Sequence, residues 1–319
     1  MLFKIVKVVA DVLLPLWAGY LCRQHGWMSE KQCQKLMLFN VIVLLTTMNL
    51  MSFWILPVDS ALLLIPVLSL LTALLAGSLA AFTFAKQFSD LLEQGSYVIS
   101  CMLSNIGTMA GLAAYFLFGE VSYAYTQLFA VPQNILMVIF AFPLAQYYRK
   151  RYLQEKSNTE LHLSFRKMFL TPKQLGLVGM LVGIALHLAQ VARPEVITQT
   201  FSYLVHVRAW IALLPVGFVL DFHRARLYYK RVLSMLPLRF LLVPGIIYCV
   251  AKLFFSDQVL LGTILVAAAA PVAINAVITA TLYQLNLDLP VAAFIVTTAS
   301  YVVIAVPALY LYLALGGTL

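Results

Sequence analysis

Asn105 and Asn275 are amide side chains set inside apolar stretches, each beside residues that weaken a helix. Asn105 follows Ser104 and precedes Ile106, Gly107 and Gly111, while Asn275 comes one helical turn after Pro271. In lipid, an amide without a hydrogen-bond partner costs on the order of a few kcal/mol, so each must find a partner or a ligand. Glycine allows close approach or unwinding, and proline removes a backbone donor and clashes with the preceding turn. A helix broken at membrane depth survives only where it lines an enclosed or watery cavity, with its free amide and carbonyl dipoles turned to a polar solute. The competing explanation is packing: Gly107 and Gly111 also form a G-x-x-x-G pattern, and proline kinks are common in membrane helices.

Other polar residues fall at depths from which they face the same cavity. Pro132-Gln133-Asn134 offers Gln133 as the best of these, and Thr297, Thr298, Ser300 and Tyr301 follow in the last apolar stretch. Ser and Thr there are expected to bond back to their own helix. Asp11 and Arg208 are ionisable residues inside apolar runs, each about ten residues from one surface. They are read as a structural ion pair or, failing that, a proton-coupling element. His206, two residues from Arg208, points elsewhere on a helix, and His187 reads as interfacial. Gly179 and Gly183 form a second G-x-x-x-G, taken as packing. No nucleophile elbow, metal-binding pair or phosphate loop is present, so neither an enzyme nor an ATP-driven pump is supported. Cys22, Cys33, Cys101 and Cys249 have no paired or metal-like spacing, and no cofactor is implied.

The elements that must position these residues are membrane helices. Of 319 residues, 63% are hydrophobic and 10% charged, with mean hydropathy +0.94, which excludes a soluble globular domain. At roughly 20 apolar residues per span, ten spans are read: about 3–22, 36–56, 61–85, 97–118, 123–147, 174–191, 199–221, 233–254, 259–283 and 290–315. The first begins with Lys4 and Lys7 but lacks a cleavage site, so it reads as a span and not as a secretory signal. With the amino terminus outside, the inner loops hold 15 of the 21 basic residues, including Arg149, Lys150, Arg151, Arg166 and Lys167. The positive-inside rule then puts both termini outside and the 149–173 connection in the cytoplasm. The charge of +9 therefore sets topology, and nucleic acid is not implied.

That connection leaves five spans on either side, and an odd number forces the halves into opposite orientation. The interruptions at 105 and at 271–275 share with the span starts an offset of about 170 residues. The reading is an all-α membrane protein of ten transmembrane helices in two inverted repeats, 1–148 and 174–319, with broken helices 4 and 9 crossing near the midplane.

The run Asn105 to Gly119 (NIGTMAGLAAYFLFG), with Tyr123 and Tyr125 after it, resembles the fourth-span signature of the auxin efflux carrier family. Ala270 to Asn275 (APVAIN), followed by Leu282-Tyr283 and Asp288, is similar to that family's ninth-span motif. Leu16 to Tyr20, Leu38-Phe39-Asn40 and Pro307 agree with the same plan, so the chain is identified as a bacterial member. The resemblance implies the fold of the bile-acid, arsenite and riboflavin transporter-like superfamily. A scaffold of spans 1, 2, 6 and 7 would hold a transport unit of spans 3–5 and 8–10. It implies organic-anion substrates, auxin in plants and malate-like carboxylates in bacteria, with Asn105 and Asn275 on the substrate, Pro271 at the crossover and Gln133 in support. Leu112 stands where the family has its span 4 proline, and span 3 has no Asp or Lys, so the break in this half is expected to rely on Gly107 and Gly111, and coupling to protons or sodium stays open.

These readings converge on a secondary transporter of a small organic anion in the cell inner (plasma) membrane, working by alternating access. Its partners are the anion and the lipid bilayer, with a homodimer as one regulatory route. No full positive charge is placed at the crossing, so dipoles and amides hold the anion. The alternatives are a transport-inactive receptor with the same fold and, less in keeping with the pattern, a channel.

Overall fold

In the computed structural model, residues 2–57, 59–153, 175–220 and 225–315 are described, without the side chains of 2–5 and 313–315. Most of the central 149–173 connection lies outside them. The described chain is helical, and its one backbone bridge outside helices joins Ser104 to Val272. Among the described residues, five helices are long and apolar enough to cross a membrane: Glu30–Trp54, Ser60–Gln87, Glu120–Leu153, Glu195–Val219 and Asp288–Tyr312. Arg226–Val232 with Met235–Ala251, bent by 52°, makes a sixth if read as one span. Ten were expected, and for three of the missing spans the cause is plain. The segments read as spans 4 and 9 are each split into pieces of 12, 11 or 9 residues such as Leu91–Met102, Gln258–Ala268 and Ile274–Leu282, and Leu175–Leu188 has 14. None of these alone reaches bilayer length. Rows of exposed Leu, Val and Ile, such as Leu177, Val178, Leu181 and Val182, suit lipid contact.

The chain divides into two compact units. One comprises residues 1–62, 111–127 and 164–220. Its helices pack backbone to backbone through glycine. A Cβ on Gly19 would lie 1.9 Å from the Leu214 carbonyl oxygen, and one on Gly217 would lie 2.0 Å from that of Leu16, so Leu2–Gln24 and Glu195–Val219 can approach only because both lack side chains. Gly179 and Gly183 do the same against Thr46 and Leu50. Arg193 grips Glu120 with both terminal nitrogens, at 2.5 and 2.8 Å, and also donates to the Met51 carbonyl at 2.8 Å. Such bidentate pairs are the strong class of ion pair.

The other unit comprises 63–110, 128–163 and 221–319. Two helices in it begin alike: the Asp90 side chain accepts from Leu92 N–H at 3.0 Å, and that of Asp257 from Val259 N–H at 2.9 Å. An aspartate at this position satisfies orphan amides and complements the positive helix end. Three π-helical turns, Met137–Ala141, Leu238–Leu242 and Tyr301–Ala305, each end two residues before a proline, Pro143, Pro244 or Pro307. Proline cannot donate to the carbonyl four residues back, and a one-residue shift of the ladder accommodates the loss. Gly77 admits Met102, and Gly95 admits the Tyr148 side chain, which seats Leu91–Met102 among its neighbours.

Candidate functional site

Within the second unit, two chain breaks meet. Helix Leu91–Met102 stops, Leu103 to Asn105 are extended, and a π-turn Ile106–Ala110 resumes. Helix Gln258–Ala268 stops, Ala269 to Ala273 are non-helical, and Ile274–Leu282 resumes. The two breaks run antiparallel and pair as a minimal ladder: Asn105 N–H donates to the Pro271 carbonyl at 2.7 Å, and Ala273 N–H to the Leu103 carbonyl at 3.0 Å. Ser104 and Val272 face each other between these bonds. The first break thus precedes Gly107 and Gly111 and does not lie at them. Gly107 sits inside the π-turn, and Gly111 opens the helix Gly111–Phe118, buried where a Cβ would lie 3.0 Å from the Gln127 amide nitrogen. That contact is packing, the alternative reading of this glycine pair. Gly119, at φ +88°, ends the helix as the left-handed residue the sequence pattern calls for.

Backbone groups freed by breaking a helix need partners. Val272 N–H donates to Thr297 Oγ1 at 3.0 Å, while that hydroxyl donates back to Ala293 of its own helix at 2.7 Å. Gln133 Nε2 donates to the Ser104 carbonyl. The Asn105 carbonyl accepts from Ala110 N–H at 3.3 Å, the π-type bond. The side-chain amides of Asn105 and Asn275 are partly exposed and have no hydrogen-bond partner among the described residues.

One residue at the crossing escaped the sequence reading. Arg239, 5% exposed, donates to Ser104 Oγ at 2.8 Å, to the Ala270 carbonyl at 2.6 Å, and to the Ser100 and Cys101 carbonyls at 2.8 Å each. A full positive charge therefore stands where only dipoles were expected. The signal was available, since Arg239 is an ionisable residue inside an apolar run, the same rule that selects Asp11 and Arg208. Beside it, with Thr72, Cys101 and Ala268 in its wall, is a recess with room for about one water.

Four helix ends meet here. Two are carboxyl-terminal, at Met102 and Ala268, and Arg239 covers their carbonyls. Two are amino-terminal, at Ile106 and Ile274, next to the side-chain amides of Asn105 and Asn275. Amino-terminal helix ends favour negative charge and carboxyl-terminal ends positive charge.

Asp11 and Arg208 belong to the first unit and have partners other than each other. Asp11 pairs with His206 Nδ1 at 2.5 Å and accepts from Trp210 Nε1 at 3.2 Å, whereas Arg208 donates to the Tyr123 hydroxyl. His206 and Arg208 do point apart, as their two-residue spacing requires, but the face toward Asp11 carries the histidine.

The family model for membrane transport proteins matches residues 4–312, nearly the whole chain. No curated protein matches it. An all-helical chain with several bilayer-length apolar helices, matched along that extent, belongs to the membrane transport protein family, the auxin efflux carriers.

Proposed function

We propose that this protein is a secondary transporter of a small organic anion, held at the crossing of spans 4 and 9 and passed across the membrane by alternating access. The observation that carries the reading is the pair of amino-terminal helix ends at Ile106 and Ile274, flanked by the uncommitted amides of Asn105 and Asn275. A carboxylate bound there exchanges water for oriented N–H groups and two amides, with the Pro271 carbonyl and Gln133 holding the backbone in place.

Ten spans in two inverted halves are supported by matched features. The Asp90 and Asp257 caps, the two breaks, and the π-turns before Pro143 and Pro307 recur in the same order in both halves. The two compact units favour a scaffold of spans 1, 2, 6 and 7, with the change that residues 111–127 group with the scaffold and not with the transport unit. Inner loops rich in Lys and Arg argue for both termini outside.

Saturable, competable uptake of labelled malate or indole-3-acetate into proteoliposomes tests the reading. Binding without flux would point to a receptor, and non-saturating flux to a channel. At about 1.5 kcal/mol for each hydrogen bond to a charged group, removing both amides in Asn105→Ala/Asn275→Ala weakens anion binding roughly 100-fold, with melting unchanged. Unchanged flux in that double variant would refute the site.

A further inference from the structure

We infer that Arg239 stands in place of a coupling cation: its guanidinium binds the carbonyl cage that the two helix carboxyl ends make, so the crossing carries its own positive charge and needs no sodium. Broken helices expose two kinds of ends. Amino-terminal ends attract anions, and carboxyl-terminal ends with unwound carbonyls attract cations. Here the carbonyls of Ser100, Cys101 and Ala270, with the Ser104 hydroxyl, form an all-oxygen shell within 2.8 Å of the guanidinium nitrogens. No carboxylate pairs with Arg239 among the described residues. An unpaired buried charge is tolerated only when hydrogen bonds satisfy it, and these oxygens come from both breaks at once. The shell is therefore built around a cation, and the side chain supplies it.

Arg239 is a positioning residue: it fixes both broken segments and leaves the amino-terminal ends for the anion. The inference deepens the transporter reading, but its test reads cation binding alone and needs no substrate. A failed uptake assay leaves it intact, and the converse holds.

The experiment is thermal unfolding of the purified full chain in detergent. Sodium, potassium, choline and low-millimolar guanidinium chlorides are compared at one ionic strength. Wild type is expected to melt alike in all four. Arg239→Ala melts several degrees lower and regains part of the loss, saturably, with guanidinium and with sodium, whereas choline is too large for the shell. Arg239→Met, similar in length but neutral, melts low like Arg239→Ala, and Arg239→Lys stays near wild type without responding to sodium. A saturable sodium-specific rise in wild type overturns the inference. So does an Arg239→Met protein as stable as wild type, or a folded Arg239→Ala protein indifferent to guanidinium. If Arg239→Ala does not fold, the wild-type and Arg239→Lys arms decide: a sodium response in either one refutes the resident charge.

Discussion

The two breaks that cross in this protein are made by different means. In the second-half break, Pro271 lacks an N–H and offers only a carbonyl; the first-half break, Leu103 to Asn105, has no proline, and Asn105 supplies the N–H that this carbonyl accepts at 2.7 Å. In a complete antiparallel pair, residues 105 and 271 would exchange two bonds. Proline cannot return the second, so the Asn105 carbonyl turns to Ala110 through the π-turn that follows it. The proline in one segment and the π-turn in the other are two sides of one hydrogen-bond problem. A break at membrane depth is thus defined by where its freed groups find partners, and the helix-breaking residue beside it is only half of the cause.

This asymmetry can be broken most severely at Asn105. Asn105→Pro removes the one donor to the Pro271 carbonyl among the described residues and is expected to cost about 3 kcal/mol, the upper range for an orphaned buried group. Asn105→Ala keeps the N–H and should melt like wild type. Denaturation of the two variants side by side isolates the backbone bond, and equal stabilities would show that the ladder contributes nothing. Next in size is Thr297→Val. The substitution conserves shape and removes the hydroxyl that accepts from Val272 N–H, a buried donor with no other acceptor among the described residues. A loss of about 2 kcal/mol is expected, because orphaned N–H groups are the rarer and costlier kind.

The two breaks were also unequally legible. The apolar runs located the membrane helices, and the amides with their breakers located both interruptions, since each is a local departure from a long apolar pattern. The first break, read at 105, was ascribed to Gly107 and Gly111. Glycine permits a bend anywhere nearby, whereas the actual site at Leu103 to Asn105 is chosen by register with residues 271–273, far along the chain. Arg239 itself was legible as an ionisable residue in an apolar run, but its partners were not, since they lie on two segments at least 31 positions away. The partner of Asp11 was misassigned to Arg208. Sequence spacing separates His206 from Arg208 by face, but only the packed rotation of Glu195–Val219 decides which face meets Asp11.

Smaller effects sharpen the comparison. Gln133→Leu leaves the Ser104 carbonyl without its side-chain donor, at a cost of about 1 kcal/mol, since a carbonyl tolerates a lost partner better than an amide does and Gln133 is itself partly exposed. Denaturation of this variant should show a loss smaller than that of Thr297→Val. The reverse order would mean that the first break depends more on its side-chain support than the second.

The smallest change is expected where sequence intuition predicts the largest, at Pro271→Ala. The new N–H faces the Asn105 carbonyl across the antiparallel pair, and that oxygen holds only a long bond of 3.3 Å from Ala110. A carbonyl has two lone pairs and can accept both donors, so the ladder gains its missing bond. Against this, alanine favours helix over proline by about 3 kcal/mol and invites Gln258–Ala268 to run on into Ile274–Leu282. Continuation would cost the Asn105 and Thr297 bonds and take Ala270 away from Arg239, all of which the present break satisfies. Those losses outweigh the gain in propensity. The variant should keep its break and melt within about 1 kcal/mol of wild type. Helix content measured by circular dichroism then stays constant, and uptake persists. A rise in helicity with loss of uptake would show instead that proline alone holds the second break open, and the two halves would be broken by unrelated causes.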